Sequence, residues 1–177
     1  MRPTSLKTLR LSLRCPKISD VDALTMAIGD QRVSQWLARV PHPYGHNDAI
    51  RWIEISADNW QRDVAYPFNA FLGDRLIGGV GVTRCSDEDA VLSYWLVHDC
   101  WGQGYGLELI EAIAAFSAET LGFQTLTAGI HPDNTRSERL LLKAGFEAIG
   151  DQIYLHPPPD NRLKGPHFRL SLAGDSQ

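Results

Sequence analysis

The sequence predicts a mixed α/β (α+β) fold, with one twisted sheet of about seven strands flanked by helices. Three observations carry this. Blocks of period-2 and period-3.6 hydrophobicity alternate along the chain in the order β-α-α-α-β-β-β-α-β-α-β-β. Residues 91–130 read as strand, loop, helix and strand, one crossover unit of right-handed sense. No internal repeat and no linker interrupts the 177 residues, so 1–177 reads as a single domain, long enough to bury a sizeable core.

Each element has its own grounds. Leu9, Leu11 and Leu13 alternate with Arg10, Ser12 and Arg14, the period of a half-buried strand, and Pro16 ends it. Ser19 offers a cap to a helix that ends at Gly29. A second, short helix over 31–38 is broken by Pro41-His42-Pro43-Tyr44-Gly45. Asn47-Asp48 opens the next helix, in which Ile50, Ile53, Ala57 and Trp60 fall at helical spacing. Residues 68–72 and 76–82 are strands about a Gly73-Asp74 turn, and a turn at 86–89 leads into a strand over 91–97. From Leu107 the pattern is helical, with Leu109, Ile110, Ile113 and Phe116 on one face and Gly122 where the helix terminates. Residues 125–130 form a strand, and Asn134 begins a short helix that ends at Gly145-Phe146. Strands over 147–155 and 168–172 close the chain, separated by a polar loop at 157–166.

Composition removes several classes. With 44% hydrophobic and 21% charged residues, the chain is neither disordered nor fibrous. No run of 18 apolar residues occurs, so no membrane span is expected. A net charge of −4 gives no globally basic surface for nucleic-acid phosphates. Cys15, Cys85 and Cys100 are odd in number and lack metal-ligand spacing. They read as reduced thiols of a cytoplasmic protein without a metal site. Met1-Arg2-Pro3-Thr4 lacks the apolar core of a signal peptide.

Chemistry concentrates between the strand at 91–97 and the following helix. Gly102, Gly104 and Gly106 let the backbone approach a ligand closely. The N–H groups of a first helical turn have no intrahelical partners, and the helix dipole places positive charge there. Such a site suits a phosphate. A nucleoside-triphosphate loop would need a Gly-Lys-Ser/Thr ending, which is absent. A dinucleotide fingerprint starting at Gly102 would need its third glycine at Leu107.

Trp101-Gly102-Gln103-Gly104-Tyr105-Gly106 resembles the pyrophosphate-binding loop of the GNAT acetyltransferases. Asn134-Thr135-Arg136-Ser137 with Lys143-Ala144-Gly145-Phe146 resembles the family's second segment, at the usual separation. Leu9-x-Leu11-x-Leu13-Arg14, Asp20, Pro41-x-Pro43-Tyr44 and Trp52-Ile53 are similar to the branch of ribosomal-protein N-terminal acetyltransferases, RimJ/RimL-like. The resemblance implies the GNAT fold, with splayed strands at an acetyl-CoA site. It implies that pantetheine adds to Tyr94-Trp95-Leu96 like a strand, with the Leu96 N–H facing the thioester carbonyl. It implies that N–H groups from Trp101 to Gly106 (Trp101, Gly102, Gln103, Gly104, Tyr105, Gly106) hold the pyrophosphate. The more usual Arg or Gln of the wider family is Trp101 here, which main-chain binding tolerates. Asn134 would bond the pantetheine arm while also serving as an N-cap. Many relatives use a Tyr at the position of Leu141 to protonate the leaving thiolate; here Ser137 is the residue expected in that role. Lys143 and Arg139 are cations within reach of the adenosine phosphates or simply solvated.

The expected reaction is acetyl transfer from acetyl-CoA to a primary amine by direct attack in a ternary complex. At pH 7 a lysine-type amine costs about 4.6 kcal/mol to deprotonate and an α-amine only about 1–1.4 kcal/mol. The strand at 91–97 begins Val91-Leu92-Ser93 and offers no carboxylate base, which favours a protein or peptide N-terminal α-amine. Glu54, Asp58, His42, His46, His98 and His131 are the distant base candidates, unranked by sequence. Trp36, Tyr44 and Trp52 are candidates to wall the acceptor pocket, although such aromatics more often pack a core or a helix face. A covalent intermediate on Cys100 is not expected, since His98 and Asp99 adjacent in a loop cannot both address one sulfur. A small-molecule amine acceptor (amino acid, polyamine or aminoglycoside) and a catalytically silent CoA-binding sensor are the alternatives. The branch leaves a homodimer open.

Overall fold

The computed structural model of the chain describes residues 2–38, 40–156 and 161–172, and in 154–156 and 161–163 the backbone alone. The strands are β1 Ser5–Lys7, β2 Ser12–Arg14, β3 Ala65–Leu72, β4 Arg75–Arg84, β5 Asp89–Leu96, β6 Thr125–Gly129, β7 Glu147–His156 and β8 Asn161–Ser171. The helices are α1 Val21–Gly29, α2 Gln31–Ser34, α3 His46–Gln61, α4 Tyr105–Glu119 and α5 Thr135–Lys143. One eight-stranded sheet runs in the order β1-β2-β3-β4-β5-β6-β8-β7. Every described pair is antiparallel except β5 with β6, the pair joined through α4. This is the mixed sheet expected, with one strand more.

The extra strand comes from the N-terminus. The alternation at Leu9, Leu11 and Leu13 is not one strand but a turn followed by a strand. The Thr8 N–H donates to the Leu11 carbonyl at 3.0 Å, and the Leu11 N–H to Thr8 Oγ1 at 2.9 Å. A local side-chain bond thus replaces ladder bonds. Leu9 is left 93% exposed at the turn, whereas Leu11 and Leu13 are buried.

Several boundaries also move, with β3 starting three residues before the expected 68 and β5 two before the expected 91. The second helix stops at Ser34, because the Trp36 and Leu37 N–H groups bond three residues back, to Val33 and Ser34. Helix α4 starts at Tyr105, two residues early, capped by Gly104 at φ +84°. The last strand starts at Asn161, so most of the polar loop is hairpin, and its remainder, 157–160, lies outside the described residues.

Two cores hold the elements. The larger joins the sheet to α4 and α5 through Leu13, Phe68, Ile77, Leu109, Ile113, Leu126, Leu141 and Phe168, all at or below 1% exposure. Each such side chain contributes about 1.5–3 kcal/mol by leaving water. The smaller joins α1 and α3 to the end of β3 and the start of β4 through Leu24, Ile28, Ala49, Ile53, Phe71 and Leu76. Asp20 ties them together. Its carboxylate accepts from Arg14 at 2.6 and 2.8 Å, from the Lys17 N–H at 2.9 Å and from Asn69 at 2.9 Å.

The register of β5 positions the site. Its pairing with β6 ends at Val91 with Thr127, although β5 continues to Leu96 and β6 to Gly129. Beyond Val91 the two strands part.

Candidate active site

The parting of β5 and β6 opens a cleft of about 1240 Å³. It is lined by Leu92 to Leu96 on one side, Ala128 to His131 on the other, and the start of α4 and α5 at its end. On the acceptor side it runs out between α3 and Ile153 of β7.

The main chain of β5 faces this gap at alternate residues. The Val97 N–H donates to Ile77 at 2.9 Å, and Leu96 pairs with Gly78 one step along. In an antiparallel ladder this alternation turns the Leu96 and Tyr94 polar groups away from β4. The Leu96 carbonyl is taken by the Trp101 indole N–H at 2.9 Å, which leaves the Leu96 N–H towards the cleft. The Leu96 side chain instead covers Gly78 and Gly106; a Cβ on Gly78 would meet Leu96 Cδ2 at 2.7 Å.

Gly102 and Gly104 line the cleft at φ +73° and +84°, the left-handed region that a side chain would strain. The first bond of α4 runs from the Glu108 N–H to Gly104 at 3.2 Å. The N–H groups of Tyr105, Gly106 and Leu107 precede it and are the donors of a helix N-terminus. The side chains of Gln103 and Tyr105 turn elsewhere. Gln103 donates to the Asp99 carbonyl at 2.6 Å, and Tyr105 is buried beneath Arg10, whose guanidinium lies 4.2 Å from the ring centroid. Gly106 gives α5 its close approach, since a Cβ there would meet Leu140 at 2.7 Å.

The unexpected β1–β2 turn anchors this loop. Glu108 accepts from Thr8 Oγ1 at 2.5 Å, the Arg10 N–H at 2.8 Å and Arg10 Nε at 2.7 Å. Arg10 also donates to the Gln103 carbonyl at 3.0 Å. Burial alone would raise the Glu108 carboxyl, but these donors outweigh it and hold it below the usual range.

On α5, Asn134 is the N-cap, its Oδ1 accepting from the Ser137 N–H at 3.1 Å. Its amide nitrogen remains for the cleft, which Asn134 lines. Ser137 also lines the cleft, and its Oγ lies 2.5 Å from the Tyr94 phenol. Burial pushes that phenol up to about 12. Leu141 is fully buried in the larger core, so it serves packing.

On the acceptor side Trp36, Tyr44 and Trp52 all line the cleft, with Arg51, Ile55 and Trp95. Trp36 meets His131 edge-on, centroids 5.5 Å apart. Of the distant base candidates, His131 alone lines the cleft among the described residues. His42 lies 3.5 Å from Ser34, His46 pairs with Asp22, Asp58 with Arg62, and His98 packs on Trp101. His167, which sequence reasoning missed, lines the cleft opposite Gly129 and is 8% exposed. Burial lowers its pKa, so it is neutral at pH 7. Extending the final strand pattern by one residue would have found it. Arg136 was missed as well; its guanidinium lies 4.1 Å from the Trp101 ring, and with Lys143 it supplies cations to the cleft, which Arg139 does not line. Cys100 is buried, with its thiol pushed up first by burial and then by Asp99, the opposite of a nucleophile's environment. Among the described residues no cluster of His, Cys, Asp and Glu could hold a metal, and no helix is long and apolar enough to cross a membrane.

A gap beside a parallel pair, leading to a glycine-capped helix N-terminus, is the geometry that the resemblance implies for an acyl-CoA site. The family model for the acetyltransferase (GNAT) domain matches residues 10–147. The chain belongs to the GNAT acetyltransferase family. It is an acetyl-CoA-dependent N-acetyltransferase. It is 26% identical over 149 residues to the uncharacterized N-acetyltransferase YoaA of Bacillus subtilis, covering 82% of this chain and 84% of the relative. A Vibrio cholerae structure assigned as a ribosomal-protein-serine acetyltransferase is 26% identical, with a TM-score of 0.83 over 97% of this chain and 99% of the other. Mycobacterium smegmatis RimJ, in complex with a CoA disulfide, shares the fold at 18% identity, with a TM-score of 0.83 over 100% and 93% of the chains. The structural neighbours of this GNAT chain include RimJ/RimL-like acetyltransferases, the branch that the N-terminal motifs resemble.

Proposed function

We propose that the chain, as one acetyltransferase domain over 1–177 in the cytoplasm, acetylates the N-terminal α-amine of a protein or peptide. The observation that carries this reading is the lining of the acceptor side. Trp36, Leu37, Val40, Pro41, Tyr44 and Trp52 make it apolar and aromatic. Among the described residues the cleft holds one carboxylate, Asp48, and that is engaged with the Gly45 N–H at 2.9 Å. A polyamine or an aminoglycoside carries several cations and calls for several carboxylates, whereas Arg51, Arg136 and Lys143 outnumber Asp48 here. An α-amine beside an apolar or aromatic residue suits such a wall, and roughly a tenth to a sixth of it is neutral at pH 7, far more than of a lysine amine. The name given to the Vibrio cholerae relative supports the same acceptor class.

In this reading the β5 main chain at Tyr94, Trp95 and Leu96 holds the pantetheine arm as an added strand would. The N–H groups from Gly102 to Gly106 bind the pyrophosphate, with Arg136 and Lys143 nearby; the Trp101 N–H, expected among them, is taken by the His98 carbonyl at 3.2 Å. The Asn134 amide donates to the pantetheine. The Leu96 N–H stabilises the negative charge that develops on the thioester oxygen, an effect worth about 3–4 kcal/mol. Ser137 serves the departing sulfur.

The test is release of free thiol from acetyl-CoA, with mass spectrometry of the products. The acceptors are peptides with free N-termini, lysine peptides, amino acids, polyamines and aminoglycosides. Acetylation of the α-amine of peptides, with little on lysine side chains or polyamines, is expected. Turnover on polyamines or aminoglycosides alone would overturn the acceptor class. Acetyl-CoA binding without turnover on any acceptor would favour a CoA-binding sensor.

A further inference from the structure

The phenol of Tyr94 has no role in binding pantetheine through the main chain, yet it is the group that meets Ser137. Its oxygen lies 2.5 Å from Ser137 Oγ and 3.5 Å from the Ser137 carbonyl. It reaches α5 from β5, the strand whose Leu96 N–H faces the same cleft. No phenol enters from α5 itself, whose sequence is TRSERLLLK. Tyr94 and Trp95 divide the strand between them: Tyr94 packs with the larger core, and Trp95 with the smaller one beside the acceptor wall.

A serine hydroxyl has one proton and two lone pairs. When its only proton points at a phenol oxygen, none remains for a ligand. When the phenol donates instead, the serine proton is free to point into the cleft. Burial keeps the phenol protonated over the whole neutral range, so it can donate.

We propose that Tyr94 is a positioning residue and proton source for Ser137, and that the two hydroxyls act as one relay to the departing CoA sulfur. The proposal rests on the reading of Ser137 given above. As the acceptor nitrogen forms its bond to the acetyl carbon, the carbon–sulfur bond breaks and its electron pair goes to sulfur. The sulfur takes the proton of Ser137, and Ser137 takes that of Tyr94. The acceptor nitrogen releases its extra proton to water, and the phenolate recovers one from water, so the sum is amine plus thioester giving amide plus thiol.

The experiment compares wild type with Tyr94→Phe, Ser137→Ala and the double variant. Three quantities are read: the acetyl-CoA Kd, kcat and KM for the fastest acceptor of the panel, and the ultraviolet absorbance of the thiolate of bound CoA at a fixed alkaline pH. Phe keeps the buried ring, and an unchanged Kd certifies the fold. Tyr94→Phe should lower kcat by about tenfold or more and leave KM within about twofold. The double variant should be no slower than Ser137→Ala, because two members of one relay do not add. Both single variants should reduce the thiolate signal, Ser137→Ala by removing the donor to the sulfur and Tyr94→Phe by removing the hydrogen bond that orients and strengthens that donor. Loss of kcat in Ser137→Ala with none in Tyr94→Phe would overturn the relay and leave Ser137 standing. Fully multiplicative losses would overturn it too. Unchanged kcat and thiolate signal in Ser137→Ala would remove the reading of Ser137 itself. Should every acceptor fail, the thiolate signal decides alone: a loss in both variants supports the relay, and no loss in Tyr94→Phe overturns it.

Discussion

The β5–α4 side of the cleft turns main-chain groups to it at Leu96, Gly102 and Gly104, whereas the facing side presents Trp36, Tyr44, Arg51 and Trp52. The first wall depends on backbone direction: strands that part after Val91, two glycines at positive φ, and a helix end. In the loop the side chains serve the scaffold: Trp101 and Gln103 use theirs to brace it against Leu96 and Asp99. The second wall depends on which rings the smaller core happens to present. Such a division lets one cofactor site serve many acceptors, since the acceptor wall can change without touching the groups that hold CoA.

Substitutions at four positions break or sharpen that contrast. The largest effect is expected at Asp20, which joins the two cores rather than lining either wall. Asp20→Ala strands the Arg14 guanidinium and the Asn69 amide and should cost about 3 kcal/mol in chemical denaturation, at the low end for a buried pair because Arg14 keeps some access to water. Acid sharpens this. Burial pushes the Asp20 carboxyl up, but Arg14, the Lys17 N–H and Asn69 together pull it below its ordinary value. The folded state therefore binds fewer protons in acid than the unfolded one, and the stability is present above the unfolded value of about 3.9 and lost as pH falls through the folded one. Denaturation midpoints measured down a pH series should fall less steeply in Asp20→Asn than in wild type.

Gly104→Glu strikes the main-chain wall. It puts a side chain at φ +84°, with its Cβ 3.3 Å from the Arg10 guanidinium, and a carboxylate beside the proposed pyrophosphate site. Acetyl-CoA affinity by calorimetry should fall at least tenfold, about 1.4 kcal/mol. An unchanged affinity in the folded variant would make the loop a turn and nothing more. Trp52→Ala strikes the other wall. The acceptor KM should rise about fivefold while the acetyl-CoA Kd stays within about twofold, roughly 1 kcal/mol confined to one substrate. Equal losses for both substrates would show that the walls are not independent. Gln103→Ala is the smallest: its amide bonds only the Asp99 carbonyl, so acetyl-CoA affinity should change by less than about twofold.

The main-chain wall was legible in the sequence, and the side-chain wall only in part: Trp36, Tyr44 and Trp52 could be named and all line the cleft, whereas Arg51 and Ile55 could not. Gly102 and Gly104 could be read because left-handed backbone restricts the residue type, and Asn134 because a cap with a free amide has few substitutes. The β1–β2 turn was misread because Leu9, exposed at the tip, keeps the alternation of Leu11 and Leu13. Its clamp on Glu108 spans 98 and 100 residues, a distance over which no local pattern carries information. His167 escaped by one residue of strand boundary, and Tyr94 was expected to act only through its main chain.

The sequence by itself determined the alternation of elements, the glycine-bounded helix start and the two paired motifs that mark the GNAT family. These follow from local constraints, since hydrophobic period, φ and capping are properties of neighbouring residues. Only the tertiary structure decided that β5 and β6 part after Val91, that the Tyr94 phenol reaches Ser137 across 43 positions, and that His131 alone of the distant bases named from sequence lines the cleft. Those facts depend on how strands twist apart and which side chains then fill the space between distant segments, and packing of that kind is set by the whole chain at once.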